Sequence, residues 1–231
     1  MSSSTSEEES DDDDSAREDR FLVDLRGVRV NDPGVTSLNV PGTSECVQNM
    51  SDEEWEQMGR DISSSSHLQK FGISEDALDD HKMSFLFRGL TRSSSIRDLN
   101  LYSNGFGFNG VRCMLPFLQN ANRLRSLDLI DSNITSEGFS LLFRSLSVSP
   151  IEELSLYGCG LSSIEIDNDN LPVNLKYLTL TCNDINADGC RDLTKLLRRE
   201  NATLKHLLLG FNKIDDEGIG VLVDALQTNH H

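Results

Sequence analysis

Hydrophobic positions along this chain recur in one frame. An aliphatic residue is followed by others three, five and ten positions later, and a small polar residue takes the ninth place. The clean copies are Ile96, Leu99, Leu101, Asn104, Phe106; then Leu175, Leu178, Leu180, Asn183, Ile185; and Leu204, Leu207, Leu209, Asn212, Ile214. Two further copies keep the apolar frame and put Ser132 and Cys159 in the ninth place, and a weaker one runs Leu68, Phe71, Ile73, Asp76, Leu78. Copies begin at Leu68, Ile96, Leu124, Ile151, Leu175 and Leu204, giving spacings of 28, 28, 27, 24 and 29 residues. Behind most of them apolar residues stand four apart, as in Gly138, Leu142, Leu146 or Gly218, Leu222, Leu226. That interval draws one stripe along a helix. Each unit therefore predicts a short strand and an amphipathic helix, and units of this length bury their apolar face only by stacking.

The frame resembles the leucine-rich repeat family, over roughly residues 67 to 231. With helix opposite strand and units of 28 or 29 residues, it is similar to the ribonuclease-inhibitor-like class. The resemblance implies an α/β solenoid of about six repeats, a horseshoe with a parallel sheet on its concave face and helices on its convex face. The ninth-place amide is expected where the backbone turns, satisfying peptide groups of adjacent coils; Ser132 and Cys159 supply one donor each. The fourth unit departs from the class. Its Asp167-Asn-Asp-Asn170 run and Pro172 oppose a helix, so an irregular or 3₁₀ outer arm is expected. Glu165, Asp167 and Asp169 could in principle hold Ca²⁺, but no calcium-loop pattern is present and a solvated turn is the favoured reading.

Residues 1–20 read as a disordered acidic, Ser-rich tail, because they offer almost nothing to bury. Ser4, Thr5, Ser6 and Ser10 each have an acid three residues on, an acceptor pattern for acid-directed kinases. Residues 21–66 read as an N-terminal cap. Val35, Leu38 and Val40 keep the first slots of the frame; Ser51 and Glu54 form a capping box before Trp55, Met58 and Ile62, which share a helical face.

Charge narrows the function. The 231-residue chain carries a formal −17, with nine acids against two bases in residues 1–20. Such a balance disfavours nucleic acid and anionic membrane surfaces. The start has no basic n-region or apolar core of a signal peptide, and no run of about 18 apolar residues exists to span a bilayer. Five cysteines without a Cys-x-x-Cys pair fit reduced thiols in a cytoplasmic or nuclear protein.

Catalytic constellations are missing: no Gly-rich phosphate loop, no Gly-x-Ser-x-Gly, no His-Glu-x-x-His. No enzyme activity, cofactor or metal is expected. The residues between the apolar slots point away from the core and line the concave face. The second slot holds Gln69, Arg97, Arg125, Glu152, Lys176 and Lys205, and Arg97 beside Arg125 and Lys176 beside Lys205 predict a mildly self-repelling column. Tyr102, Asp128, Ile130, Asp131, Tyr157 and Phe211 fall in the fifth, seventh and eighth slots, and Tyr177 in the third. Exposed aromatics among charges are the anchors that protein interfaces favour. The expected function is a recognition scaffold holding another protein on its concave face. Alternatives are a GTPase-activating or regulatory repeat protein, or a fragment of a larger receptor or ubiquitin-ligase adaptor. The last repeat lacks a closing cap, which predicts an edge open to end-to-end self-association.

Overall fold

A computed structural model describes residues 6–199 and 203–228, with side chains from residue 15 onward. Seven strands form one sheet: β1 (Ser37–Val40), β2 (Lys70–Ile73), β3 (Asp98–Asn100), β4 (Ser126–Asp128), β5 (Glu153–Ser155), β6 (Tyr177–Thr179) and β7 (His206–Leu208). They lie side by side in chain order and every pairing is parallel. The register follows the frame slot for slot, since Leu38, Phe71, Leu99, Leu127, Leu154, Leu178 and Leu207 are successive partners. The helices are α1 (Ser6–Arg29), α2 (Glu45–Gln48), α3 (Asp52–Ser64), α4 (Asp80–Gly89), α5 (Phe108–Asn120), α6 (Thr135–Ser145), α7 (Ala187–Leu197) and α8 (Asp216–Thr228). From α3 onward they form the outer layer of an α/β solenoid.

The core lies between the two layers. Each coil contributes its aliphatic frame, and Leu99, Leu101, Leu127, Leu129, Leu178 and Leu180 are fully buried or nearly so. Fully burying one such side chain contributes about 1.5–3 kcal/mol, so the repeated frame supplies most of the driving force.

The ninth-place residues work as anticipated. Asn183 Nδ2 donates to Leu156 O at 2.8 Å, Leu180 O at 3.0 Å and Thr181 O at 3.2 Å, and Oδ1 accepts from Leu161 N at 3.0 Å. Asn104 repeats the set, donating to the Ile73, Leu101 and Tyr102 carbonyls and accepting from Leu78 N. Ser132 Oγ reaches only Leu101 O at 3.3 Å, and Cys159 Sγ donates to Leu129 O at 3.1 Å. One asparagine thus joins the coil before it to its own turn, whereas serine or cysteine supplies a single donor.

The N-terminal region differs from a plain cap. β1 pairs in register with β2, and α3, opened by the Ser51/Glu54 capping box, stands in the same helical row as α4. Residues 35–64 therefore build a seventh coil. What covers that coil is α1, whose Phe21, Leu25 and Val28 form one buried stripe at helical spacing. Arg29 Nε pairs with Asp61 at 2.8 Å and Ser66 N donates to Asn31 Oδ1 at 2.9 Å, fixing the exit of α1 beside the end of α3. Where composition predicted a disordered tail through residue 20, α1 begins at Ser6. Its apolar anchors sit in its second half. Of the Ser/Thr acceptor sites, Ser6 and Ser10 lie on α1, while Ser4 and Thr5 fall outside the described residues.

Two local devices set the helix row. At Gly59 an added Cβ would stand 2.2 Å from Leu86 O, and at Gly89 one would stand 2.1 Å from Glu56 O, so α3 and α4 pack backbone to backbone. The α5 N-cap is Gly107, which has no side chain to offer. Asp80 Oδ1 of the previous coil accepts from Gly107 N and Gly110 N, both at 2.7 Å, and takes over that role.

The short fourth repeat has the expected outer arm, a 3₁₀ turn at Asn168–Asn170 in place of a helix. Its backbone is satisfied from α7 and the turn that follows: Lys195 Nζ donates to Ile166 O at 2.8 Å and Arg199 Nη1 to Leu171 O at 3.2 Å. The Asp167 carboxylate caps the turn, accepting from Asp169 N and Asn170 Nδ2, and these bonds hold its pKa below the ordinary carboxylate value. Among the described residues no group of three His, Cys, Asp or Glu is placed to hold a metal ion. No helix of the described residues is long and apolar enough to cross a membrane.

Candidate functional site

Parallel coils align equivalent slots into columns, and backbone hydrogen bonds carry this alignment past the ends of the strands. Ser103 N donates to Ile130 O at 2.7 Å, Asp131 N to Tyr157 O at 2.8 Å, Gly158 N to Thr181 O at 3.1 Å and Cys182 N to Gly210 O at 2.9 Å. Tyr102, Ile130 and Tyr157 are consequently neighbours on three successive coils, at about 4.8 Å per step. They form a rim where the concave sheet turns outward. Tyr102 and Tyr157 are 38% and 37% exposed, and Ile130 is half-buried between them.

The backbone at this rim has a regularity the sequence does not announce. The eighth slot is left-handed in six consecutive coils: Glu75 (φ 66°), Ser103 (51°), Asp131 (53°), Gly158 (65°), Cys182 (57°) and Phe211 (55°). Only glycine adopts this region freely, so each non-glycine residue here carries a conformational cost. Side chains of the fifth slot help hold the turn: Asn100 Oδ1 accepts from Tyr102 N at 3.1 Å, and Asp128 Oδ1 accepts from Ile130 N at 3.0 Å. No shared residue type marks the eighth slot, so the signal becomes visible only after the coils are stacked.

Electrostatics at the rim is acidic. Asp131 is exposed beside Ile130, and Asp128 is partly buried on the same coil. Burial, reinforced by the Asp131 charge, pushes the Asp128 carboxyl above its ordinary value, although its bond from Ile130 N opposes the shift. The Cys182 thiol beside Tyr157 raises the phenol pKa, so Tyr157 stays a neutral hydroxyl. Burial pushes the Cys159 thiol up to about 12, which leaves it unreactive at neutral pH.

Not every residue singled out in the sequence joins this group. Tyr177 sits in the third slot, at the opposite end of its strand, stacked on His206 with ring centroids 4.5 Å apart and planes 5° apart. Phe211 lies on the rim, but two coils beyond Tyr157 and 85% exposed. The group brought together is therefore Tyr102, Asp128, Ile130, Asp131 and Tyr157, with Phe211 an outlier on the same edge. Tyr102 also forms one wall of a cleft of about 530 Å³ between α1 and the sheet, lined further by Arg17, Arg20, Asn39 and Glu75. That cleft has no signature in the sequence, because the acidic, Ser-rich composition of residues 1–20 hides the helix that forms its other wall. A trough of about 480 Å³ continues from there along the sheet, past Asn39, Lys70, Asp98, Asn100 and Asp128.

In the second-slot column Arg97 and Arg125 stand on adjacent rungs, but the bases beyond them are bridged by an acid. Glu152 stands between Arg125 and Lys176, 3.5 Å from Arg125 Nε and 2.6 Å from Lys176 Nζ. The Lys176 bond draws the Glu152 pKa below the ordinary value.

Comparison with known proteins agrees with this architecture. A family model described as Leucine Rich repeat matches residues 173–193 and 200–223. The ribonuclease inhibitor of Sus scrofa is 26% identical over 176 residues, which is 73% of this chain and 38% of that protein. The ribonuclease inhibitor of Mus musculus is 30% identical over 144 residues, 58% of this chain and 30% of that protein. NACHT, LRR and PYD domains-containing protein 3 of Homo sapiens is 27% identical over 191 residues, 75% of this chain and 18% of its own length. The chain thus spans well under half of each of these relatives. Among solved structures it is similar to the leiomodin-1 actin-binding site 2, at 18% identity and a TM-score of 0.39, over 90% of this chain and 88% of that one.

Proposed function

We propose that this chain, a leucine-rich repeat protein of the ribonuclease-inhibitor-like class, is a recognition scaffold that holds another protein against its concave rim at Tyr102, Ile130 and Tyr157. The observation carrying this reading is the column itself: two part-exposed tyrosines flank an isoleucine on successive coils, with Asp128 and Asp131 alongside. Aromatic anchors bordered by charge suit a protein partner that offers aliphatic and cationic side chains. The rim backbone is preformed, because left-handed turns and inter-coil hydrogen bonds set where each side chain leaves the coil before any partner arrives. Less ordering entropy then opposes association. Binding, rather than catalysis, is the activity this arrangement supports.

The test is affinity capture quantified by mass spectrometry, using wild type, Tyr102→Ala/Tyr157→Ala, and the convex-face control Glu53→Lys. A set of proteins recovered by wild type and by the control, and depleted at least tenfold by the double variant, supports the rim as the site. Equal recovery by all three baits removes it. Because two relatives are ribonuclease inhibitors, one named probe is added: ribonuclease turnover with and without the chain. Inhibition that the double variant loses would identify the partner class.

A further inference from the structure

The same alignment that builds the aromatic rim sorts charge between the two edges of the solenoid. All strands are parallel, so every strand end and helix N-terminus falls on one edge, and every helix C-terminus and strand start on the other. The first edge holds Asp79, Asp80, Asp131, Asp188, Asp215 and Asp216. The second collects arginines instead. The loop from α4 to β3 contains Arg92 and Arg97, the loop from α5 to β4 contains Arg123 and Arg125, and neither contains an acid. All four are exposed. Arg125 N donates to Arg97 O at 2.7 Å, so these two side chains stand on adjacent rungs. Lys176 and Lys205 extend the column across Glu152, through Lys176 N to Glu152 O and Lys205 N to Lys176 O, both 2.8 Å. Glu152 is held by Arg125 and Lys176, while Arg92, Arg97 and Arg123 have no carboxylate partner among the described residues.

A chain of formal charge −17 thus carries a basic edge. From the second slot to the eighth is six residues, about 20 Å of strand, or more than twice the ~8 Å screening length at physiological salt. The acidic rim therefore does not cancel the arginine edge at contact range. From Arg97 to Lys205 the column runs four rungs, about 19 Å, the reach of roughly six extended residues.

We propose that this arginine edge is a second docking surface, distinct from the aromatic rim, and that its occupant is a short acidic protein segment lying along the column. Guanidinium groups on adjacent rungs donate to carboxylates in bidentate fashion, and a row of Asp or Glu supplies those acceptors. A nucleic-acid duplex or a lipid surface fits less well. Either would extend from this narrow column over Asp98 and Glu153 on the sheet and meet like charge there.

The probe is a fluorescein-labelled octaglutamate peptide, followed by polarisation with the full chain at 50 and 200 mM salt. The expected result is saturable binding at 50 mM salt that weakens about tenfold at 200 mM, and falls at least tenfold in Arg97→Glu/Arg125→Glu. Arg97→Gln/Arg123→Gln, which leaves the Arg125–Glu152 pair intact, is expected to lose at least threefold, and circular dichroism verifies its fold. Lys213→Glu, on the acidic edge, and Tyr102→Ala/Tyr157→Ala should bind the peptide as wild type does. Failure here with a functional aromatic rim would overturn only this inference, and the reverse outcome would overturn only the rim. No binding at 50 mM salt, equal binding by the charge variants, or tighter binding of an RNA duplex or phosphatidylserine vesicles would each contradict the proposal.

Discussion

The ninth-place amide yields a prediction that can be worked from the coordinates. Asn183→Ala removes a side chain that is 7% exposed and that joins two coils. Leu156 O and Leu161 N of the preceding coil lose partners at 2.8 and 3.0 Å, while Leu180 O and Thr181 O lose one bond each but keep those from Asn212 Nδ2 and Gly158 N. An orphaned buried peptide group costs about 1–3 kcal/mol. Counting only the two inter-coil groups, the loss is about 2–6 kcal/mol, a large part of an ordinary domain's stability. Cys159→Ala removes the equivalent residue one coil earlier, but there a single thiol donates to Leu129 O, with a longer contact to Tyr157 O at 3.5 Å. Its expected cost is about 1 kcal/mol. Urea titration followed by circular dichroism gives the two midpoints. Amide hydrogen exchange then reads the local effect, with the Leu161 amide expected to lose protection in Asn183→Ala and keep it in Cys159→Ala. Equal destabilisation by the two variants, or an unchanged Leu161 amide, would refute the idea that these side chains stitch coils together.

Other outcomes follow from the same structure. Gly59→Ala and Gly89→Ala each force a methyl against backbone carbonyl oxygen and should cost about 1–3 kcal/mol by thermal denaturation, despite alanine's better helix propensity. Asp80→Ala removes the one acceptor shared by two N–H groups at the α5 N-terminus and should cost about 1–2 kcal/mol, with Asp80→Asn recovering part of it. Phe21→Ala should cost about 3–5 kcal/mol and expose the first coil, read as increased exchange at the β1 amides. Asp128 provides a pH dependence. Its folded pKa lies above the unfolded value near 3.8, so the folded state holds the proton longer. Its contribution is therefore favourable at low pH and is lost as pH rises from that value through the folded pKa. Asp128→Asn keeps an acceptor for Ile130 N, removes the buried charge, and should flatten this part of the stability profile.

Much of the scaffold was legible because the core is one-dimensional: an aliphatic frame with fixed spacing specifies strand register, and Asn104, Asn183 and Asn212 mark the turns. The 3₁₀ arm was legible from Pro172 and the Asp/Asn run. Three features were not. α1 was hidden because acidic composition masks Phe21, Leu25 and Val28, and burial of that stripe depends on a coil that the chain has yet to form. Asp80 acts across a coil boundary, so no local signal links it to Gly107. The left-handed eighth slot is occupied by Glu, Ser, Asp, Gly, Cys and Phe, whose only shared property is position. The candidate site was legible in part, since Tyr102, Ile130 and Tyr157 share a slot, whereas Tyr177 is separated from them by the length of a strand. The sorting of charge onto two edges becomes visible only when parallel stacking is known.

Hydrogen exchange on a captured complex tests the rim most directly. With a partner bound, peptides spanning Tyr102, Ile130–Asp131 and Tyr157–Gly158 should gain protection, while peptides from α4, α5 and α6 exchange as in the free protein. Protection confined to the convex helices, with the rim unchanged, would contradict the account.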